Sequence, residues 1–387
     1  MKPRKVVIAI DSFKGCLSSE EANRAAAEGV RSVCPGAEIV EVPVSDGGEG
    51  FLEAFHAAIG GEMVEAEVKD PLMRDIRARY LLNGETAVVE VAEAIGLALL
   101  DPEERNPLAT TSYGVGLLVA DAFRRGARHI IVGLGGSATS DAGKGMLQAL
   151  SDAFGPARHG GHEVPRGVHT GGPETLSESL YGPPEALGGA RFTIATDVEA
   201  PLYGENGAAC VFGPQKGATQ GMVRLLDERA REFSAASAKR FGYDRSKMKG
   251  AGAAGGLGYA FLQYLDAECL PGTELLLKTI GFDALVADAD LVITGEGAAD
   301  SQTLLGKLPM GILRHAAGVP VFLIAGKVDD RPELLRAGFS CVECINPPGI
   351  TLEEAMKKAV AQGNIGSTVR RLLTVSSHCK TNTIVHL

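Results

Sequence analysis

The stretch "RKVVIAIDSFKGCLSSEEANRAAAEGV" at residues 4–30 decides how the chain is read. Residues 4–10 are of strand length, and after Arg4 and Lys5 they run unbroken and apolar from Val6 to Ile10, the mark of a parallel strand covered on both faces. The run stops at Asp11, and a hydroxyl and a lysine follow within three residues. Ser18-x-x-Glu21 is a capping-box pattern, and Ala22, Ala25, Ala26, Gly29, Val30 and Val33 recur at helical spacing. Next come a second strand, "AEIVEVPV" (37–44), a loop, "SDGGEG", and a second helix, "FLEAFHAAI". The chain therefore opens as a βαβα unit.

The pattern changes at Gly60-Gly61. Residues 62–94 alternate with period two around turn signals at Asp70-Pro71 and Asn83-Gly84, which predicts an antiparallel meander. A helix over 110–125 and the strand "RHIIVGLGG" follow, with a new helix expected near Ser140. Residues 155–189, rich in Gly, Pro and His, read as a long surface excursion, so His159, His162 and His169 are placed in a solvated loop. After "RFTIATDV" and a helical segment over 218–241, the parallel pattern returns from 289 in "ADLVITGEG", "VPVFLIAGK" and "FSCVECIN". The expected fold is α/β with two domains. Residues 1–60 and 286–387 form a discontinuous Rossmann-like parallel-sheet domain, and 61–285 a second, mixed α/β domain inserted in it. The active site is expected in the cleft between them.

Composition sets outer limits. The 387 residues exceed one ordinary core, and 45% hydrophobic with 22% charged residues is ordinary for a globular protein. A net charge of −10 and the absence of Trp argue against a nucleic-acid partner, which is held through Lys, Arg and stacking aromatics. The apolar stretch at the start is too short for a signal peptide and no long uncharged apolar span exists, so a cytoplasmic location with no membrane partner is expected. The 7 Cys are scattered and odd in number, as for free thiols, and Cys341-Val-Glu-Cys344 lacks the second pair a zinc site needs. A homo-oligomer stays open.

Three loops carry chemistry. Asp11–Gly15, Ser45–Gly50 and Gly295–Lys307 each follow an outer-domain strand, and loops at the carboxyl ends of a parallel sheet share one edge where ligands bind. That edge would gather Asp11, Asp46, Glu49, Glu296 and Asp300 with Lys14 and Lys307. Carboxylates, ammonium groups, helix starts and glycines together suit Mg²⁺ and phosphate. The alternative is that these acids only cap helices and the glycines only turn.

In the middle, "HIIVGLGGSATSDAGKGM" (129–146) reads as a strand ending in Gly133-x-Gly135-Gly136, with Ser137, Thr139, Ser140 and Asp141 opening a helix, a candidate anion nest. It is no Walker A loop, since Gly143-Lys144 is followed by Gly145. Asp197 ends a strand, and Gln215 and Lys216 sit between turn residues before a helix. A cap and a solvated lysine are the plainer readings of Asp197 and Lys216.

Assembled in order, "DSFKG", "SDGGEG", "ERNPLATTSYGVG", "GLGGSATSDAGKGM", "ATDVEAPLYG", "FGPQKGAT", "GAGAAGGLG" and "ITGEGAADSQTLLGK" resemble the blocks of the bacterial type-1 glycerate kinases. The resemblance implies transfer of the ATP γ-phosphoryl group to D-glycerate with Mg²⁺, giving 2-phosphoglycerate. It departs where Ala298 stands at the family's usual arginine, and the tail from 374 matches no block.

On this resemblance Asp197, Lys14 and Lys307 are the catalytic candidates. Ser12, Gly135, Gly136, Ser137, Thr139, Gly255 and Gly256 are those for nucleotide phosphates. Asp46, Gly47, Gly48, Gln215 and Lys216 would bind substrate, and Asp46, Glu296 and Asp300 the metal. Three readings stay open at this level: phosphorylation at the 3-hydroxyl, a hydroxy-acid dehydrogenase resting on Gly133-x-Gly135-x-x-Ala138, and a small-anion binding protein.

Overall fold

Val6, Val7, Ile8, Ala9 and Ile10 have no solvent exposure at all, the environment that a continuous apolar run demands. They belong to strand β1 (Lys5–Ile10) of a computed structural model that describes residues 2–45, 47–48, 50–154 and 187–378. Expectations for Asp46, Glu49, the three histidines of 155–186 and the tail from 379 lie outside the described residues. The chain divides into two units, Met1–Ile59 with Gly272–Leu387, and Gly60–Pro271. The outer unit thus includes the helices Gly272–Ile280 and Phe282–Val286.

The outer unit holds β1, β2 (Glu38–Glu41), β9 (Leu291–Ala299), β10 (Val321–Val328) and β11 (Cys341–Cys344). They form one parallel sheet in the order β11-β10-β9-β1-β2. From β1 the chain moves to β2 on one side, whereas β9 leads to β10 and β11 on the other. The order reverses between β1 and β9, which is where open parallel sheets bind ligands at their carboxyl edge. β9 runs on to Ala299, beyond the expected break, because Lys327 and Val328 of β10 extend the ladder to Ala298 and Ala299.

The inserted unit holds β3 (Glu62–Lys69), β4 (Asp75–Asn83), β5 (Thr86–Glu90), β6 (His129–Gly133), β7 (Arg191–Ala195) and β8 (Glu268–Leu270), in that spatial order. β3, β4 and β5 pair antiparallel as the expected meander, and β5 to β8 pair parallel. The first turn is set by Asp70, whose Oδ1 accepts from the backbone of Leu72 and Arg74 at 2.8 Å each. The meander ends at Glu90, and Ala92–Ile95 is a short helix instead.

The helix Ser19–Val33 carries the expected capping box. It packs on the final helix, Lys358–His378, which buries Ala361, Ile365, Val369 and Leu372 against it, residues spaced to share one helix face. The crossing is close at Gly29: a Cβ there would lie 2.6 Å from Gly366 O and 3.0 Å from Val369 Cβ. Gly29→Ala should therefore destabilise by about 1–3 kcal/mol through overpacking. Exposed Gly363, with nothing within 4 Å of its added Cβ, should gain up to about 1 kcal/mol as Gly363→Ala. Urea unfolding followed by far-ultraviolet circular dichroism checks both signs.

Candidate functional site

β1 and β2 pair from Lys5↔Glu38 to Ile8↔Glu41 and then part. This is why β2 stops short of the expected residue 44. Beyond Val42, whose N–H still reaches Ile8 O at 2.8 Å, side chains of the first helix take over the ladder. Asn23 Oδ1 accepts from Ile10 N at 2.9 Å, and its Nδ2 donates to Val42 O at 2.8 Å. Ser19 Oγ donates to Ile10 O at 2.6 Å and accepts from Val44 N at 2.9 Å. Both side chains are buried, and buried backbone groups need partners. The two residues let the strands separate at their carboxyl ends at no hydrogen-bonding cost.

On its other side β1 stays paired to β9, with Asp11 N on Gly295 O at 2.9 Å. The loop that follows folds back on itself through Phe13 N to Leu17 O at 2.8 Å. Its aromatic ring lies over β10, 3.6 Å from where a Cβ on Gly326 would stand. The result is a pocket of about 450 Å³ over the carboxyl ends of β1, β9, β10 and β11, its polar lining including Asp11, Ser12, Lys14, Glu296, Lys307 and Lys327. Glu296 is buried, and its Oε1 accepts from Thr303 Oγ1 at 2.6 Å while Lys307 Nζ stands 3.8 Å from Oε2. Lys14 is exposed and Lys307 is partly so.

Of the expected loop residues, Ser12, Lys14, Glu296 and Lys307 therefore share one pocket. Asp300 is not among the residues lining it. Its Oδ1 accepts from Gln302 N at 2.8 Å, and its own N–H donates to Thr303 Oγ1 at 3.1 Å, closing the turn that aims Thr303 at Glu296. In the second loop, Gly47 has φ +97° and its N–H reaches Ser45 Oγ at 3.3 Å, while Ser45 Oγ donates to Gly48 O at 3.5 Å. Asn23, Ser19, Thr303 and Lys327 had not been singled out by motif. The signal for Asn23 was a polar residue on the apolar phase of its helix; that for Lys327 was a Gly-Lys pair at the end of an apolar strand run.

The inserted unit has its own strand-end turn. After β6, Gly135 and Gly136 turn the chain, Gly136 at φ +71°. The helix starts only at Lys144, not near Ser140, because Ala142 and Gly143 both hold left-handed backbone at φ 56° and 74°. Asp141 binds that turn together, accepting from Gly143 N at 3.0 Å, Gly145 N at 3.1 Å and both N and Oγ of Ser112 at 2.8 Å. Gly255 and Gly256 are left-handed too, and the space a Cβ would need is taken by this unit's own backbone. Thr139 O would be 1.9 Å from a Cβ on Gly255, and Ala142 Cα 2.8 Å from one on Gly256.

Lys216 is not solvated. It is 3% exposed, and its ammonium donates to Thr139 O at 2.6 Å and Ser137 Oγ at 3.0 Å. Burial drives its pKa down to about 7, with the charge of Asp141 opposing that shift. Beside it, the buried Thr139 Oγ1 has no hydrogen-bond partner among the described residues. Gln215, next in sequence, is exposed, as is Asp197 just past the end of β7.

The profile of the glycerate kinase family matches residues 6–376. The chain is 41% identical over 362 residues to a glycerate kinase of Bacillus subtilis (strain 168), covering 92% of this chain and 94% of that one. It is 40% identical over 376 residues to a glycerate 2-kinase of Escherichia coli (strain K12), covering 94% and 98%. A crystal structure assigned to glycerate kinase 2 from Salmonella typhimurium LT2 superposes with a TM-score of 0.77 at 35% identity, covering 98% of this chain and all of that one.

The buried lysine has a pH signature. Unfolded, Lys216 titrates near 10.5; folded, near 7, so between those values the unfolded state binds the extra proton. Stability from this group therefore rises with pH across that window. Relative to Lys216→Met, the parent should gain about 1 kcal/mol per pH unit from pH ~7 upward, measured by urea unfolding of both proteins at several pH values.

Proposed function

This chain belongs to the glycerate kinase family, and from that premise we propose that it transfers the γ-phosphoryl group of ATP to the 2-hydroxyl of D-glycerate. The observation that carries the reading is one pocket at a strand-order reversal that Lys14, Lys307 and the buried Glu296 all line, with Lys307 3.8 Å from Glu296. Phosphoryl transfer needs charge stabilisation and positioning more than covalent chemistry. Lys14 and Lys307 balance charge on the transferred group, and the Ser12 loop faces its oxygens.

In the step itself the glycerate oxygen forms the new P–O bond as the bond between γ-phosphorus and the β,γ-bridging oxygen breaks. ADP leaves with that electron pair, and the hydroxyl proton passes to Asp197. Lys216 fixes the turn at Ser137 and Thr139 and supplies the positive charge for the glycerate carboxylate, with Gln215 beside it. Gly135 and Gly136 let backbone N–H groups approach a phosphate, and Gly255 and Gly256 support that turn from beneath. Asp46, Gly47 and Gly48 would bind substrate.

Among the described residues no group of three or more metal-binding side chains occurs. Mg²⁺ usually takes one or two carboxylates and the substrate phosphates rather than an all-protein cage. Glu296 would hold it with Asp46, and Asp300 through water. When bound, the ion would neutralise charge on the ATP phosphates.

The 2-hydroxyl is chosen over the 3-hydroxyl on the name of the Escherichia coli relative. The phosphorus signal of the product, coupled to protons, decides it: a doublet from one carbon-bound proton is expected, and a triplet would mean the 3-phosphate. A coupled ADP-release assay should show turnover that depends on D-glycerate and Mg²⁺, and its absence from folded protein would overturn the reading. Lys14→Ala should lower kcat/KM about 100-fold or more; a loss of only a few-fold would remove Lys14 from the phosphate.

A further inference from the structure

The outer unit's pocket has a second chemistry that its cations do not explain. Beside the lysines, its wall includes Ile345, Leu352, Ala355 and Met356. Leu352 is 76% exposed and Met356 41%, although both line a concave site. They lie four residues apart, on one side of a single helical turn. Met356 reaches back to the first loop, its Cε 3.4 Å from where a Cβ on Gly15 would stand. Scattered exposed hydrophobics need no explanation, but an apolar wall inside a pocket of about 450 Å³ that also presents Lys14, Lys307 and Lys327 does.

We infer that this pocket holds the nucleotide, its purine ring against Leu352, Met356 and Ile345 and its phosphates toward Lys14 and Lys307. The inference rests on the kinase reading above. Of the two reactants in that reading, only the nucleotide has an apolar face. Glycerate is three carbons bearing a carboxylate and two hydroxyls and would gain nothing from Leu352 or Met356. Ile345 follows the edge strand β11, two strands from β9, so the wall extends away from Glu296. That is the direction in which a molecule with a polyphosphate at one end and a base at the other would lie.

Cys16 lines the same pocket and is a free thiol, which gives a readout that needs no turnover. Burial raises its pKa, so alkylation by iodoacetamide is followed at about pH 8.5 by mass spectrometry, with Cys210 of the other unit as internal reference. Saturating ADP should slow Cys16 labelling by about ten-fold or more, and D-glycerate alone should leave it unchanged. Met356→Glu should raise the Kd for a fluorescent ADP analogue by about ten-fold and keep the KM for D-glycerate within about two-fold, while Met356→Leu binds as the parent does. Unchanged labelling under ADP, protection by D-glycerate alone, or normal ADP affinity in folded Met356→Glu would overturn the assignment. Loss of glycerate-dependent ADP release with Cys16 still protected would count against the kinase reading and leave the nucleotide pocket standing.

Discussion

The outer unit depends on how one strand end is satisfied. Ile10 and Val42 are neighbours that no longer pair, and their backbone groups would be orphans without Asn23 and Ser19. An unpaired buried donor or acceptor costs about 1–3 kcal/mol, so two polar side chains on an otherwise apolar helix face make the separation tolerable. Because β1 can leave β2, the chain at Asp11 is free to fold over β9 and β10, and Phe13 closes on Gly326. Lys14 is then carried to the place where Glu296 and Lys307 also arrive. The sheet's order reversal supplies the location; the clamp from the first helix supplies the loop that occupies it.

The inserted unit meets a related problem with different parts. Its turn after β6 is packed so closely on Gly255 and Gly256 that side chains are excluded there. It is then fastened from two directions, by Asp141 on its backbone N–H groups and by Lys216 on Thr139 O and Ser137 Oγ. A lysine whose ammonium is buried among neutral acceptors is expensive, since desolvation of the charge is offset only in part. Its presence in a turn that presents small polar residues argues for a site that accepts an anion, because a negative ligand would restore what burial removes. At this residue stability is given up, as it commonly is at working sites.

What could be read before any coordinates follows the range of the forces concerned. The first strand, the capping box at Ser18, the meander and the returning parallel strands are written in patterns of a few residues, and each forms, although the meander ends at Glu90 and β9 runs on to Ala299. The end of β2 could not be read, because it is set by side chains that lie 19 and 25 residues away in sequence from the groups they satisfy. The helix start at Lys144 was misplaced because two left-handed residues, one of them an alanine, delay it. Lys216 resembles any lysine at a helix start until its 77-residue contact with Thr139 is known. The wall at Leu352 and Met356 carries no motif. Within the strand-end loops the sequence showed which charged residues were present, and only packing could tell that Asp300 closes a turn while Glu296 lines the pocket.

The most direct test is a crystal structure of the protein with Mg²⁺ and a non-hydrolysable ATP analogue. The account requires the terminal phosphates within about 3 Å of the Lys14 and Lys307 ammonium groups, with the β1–β2 separation still bridged by Asn23. Phosphates bound elsewhere, with both lysines left in solvent, would contradict it.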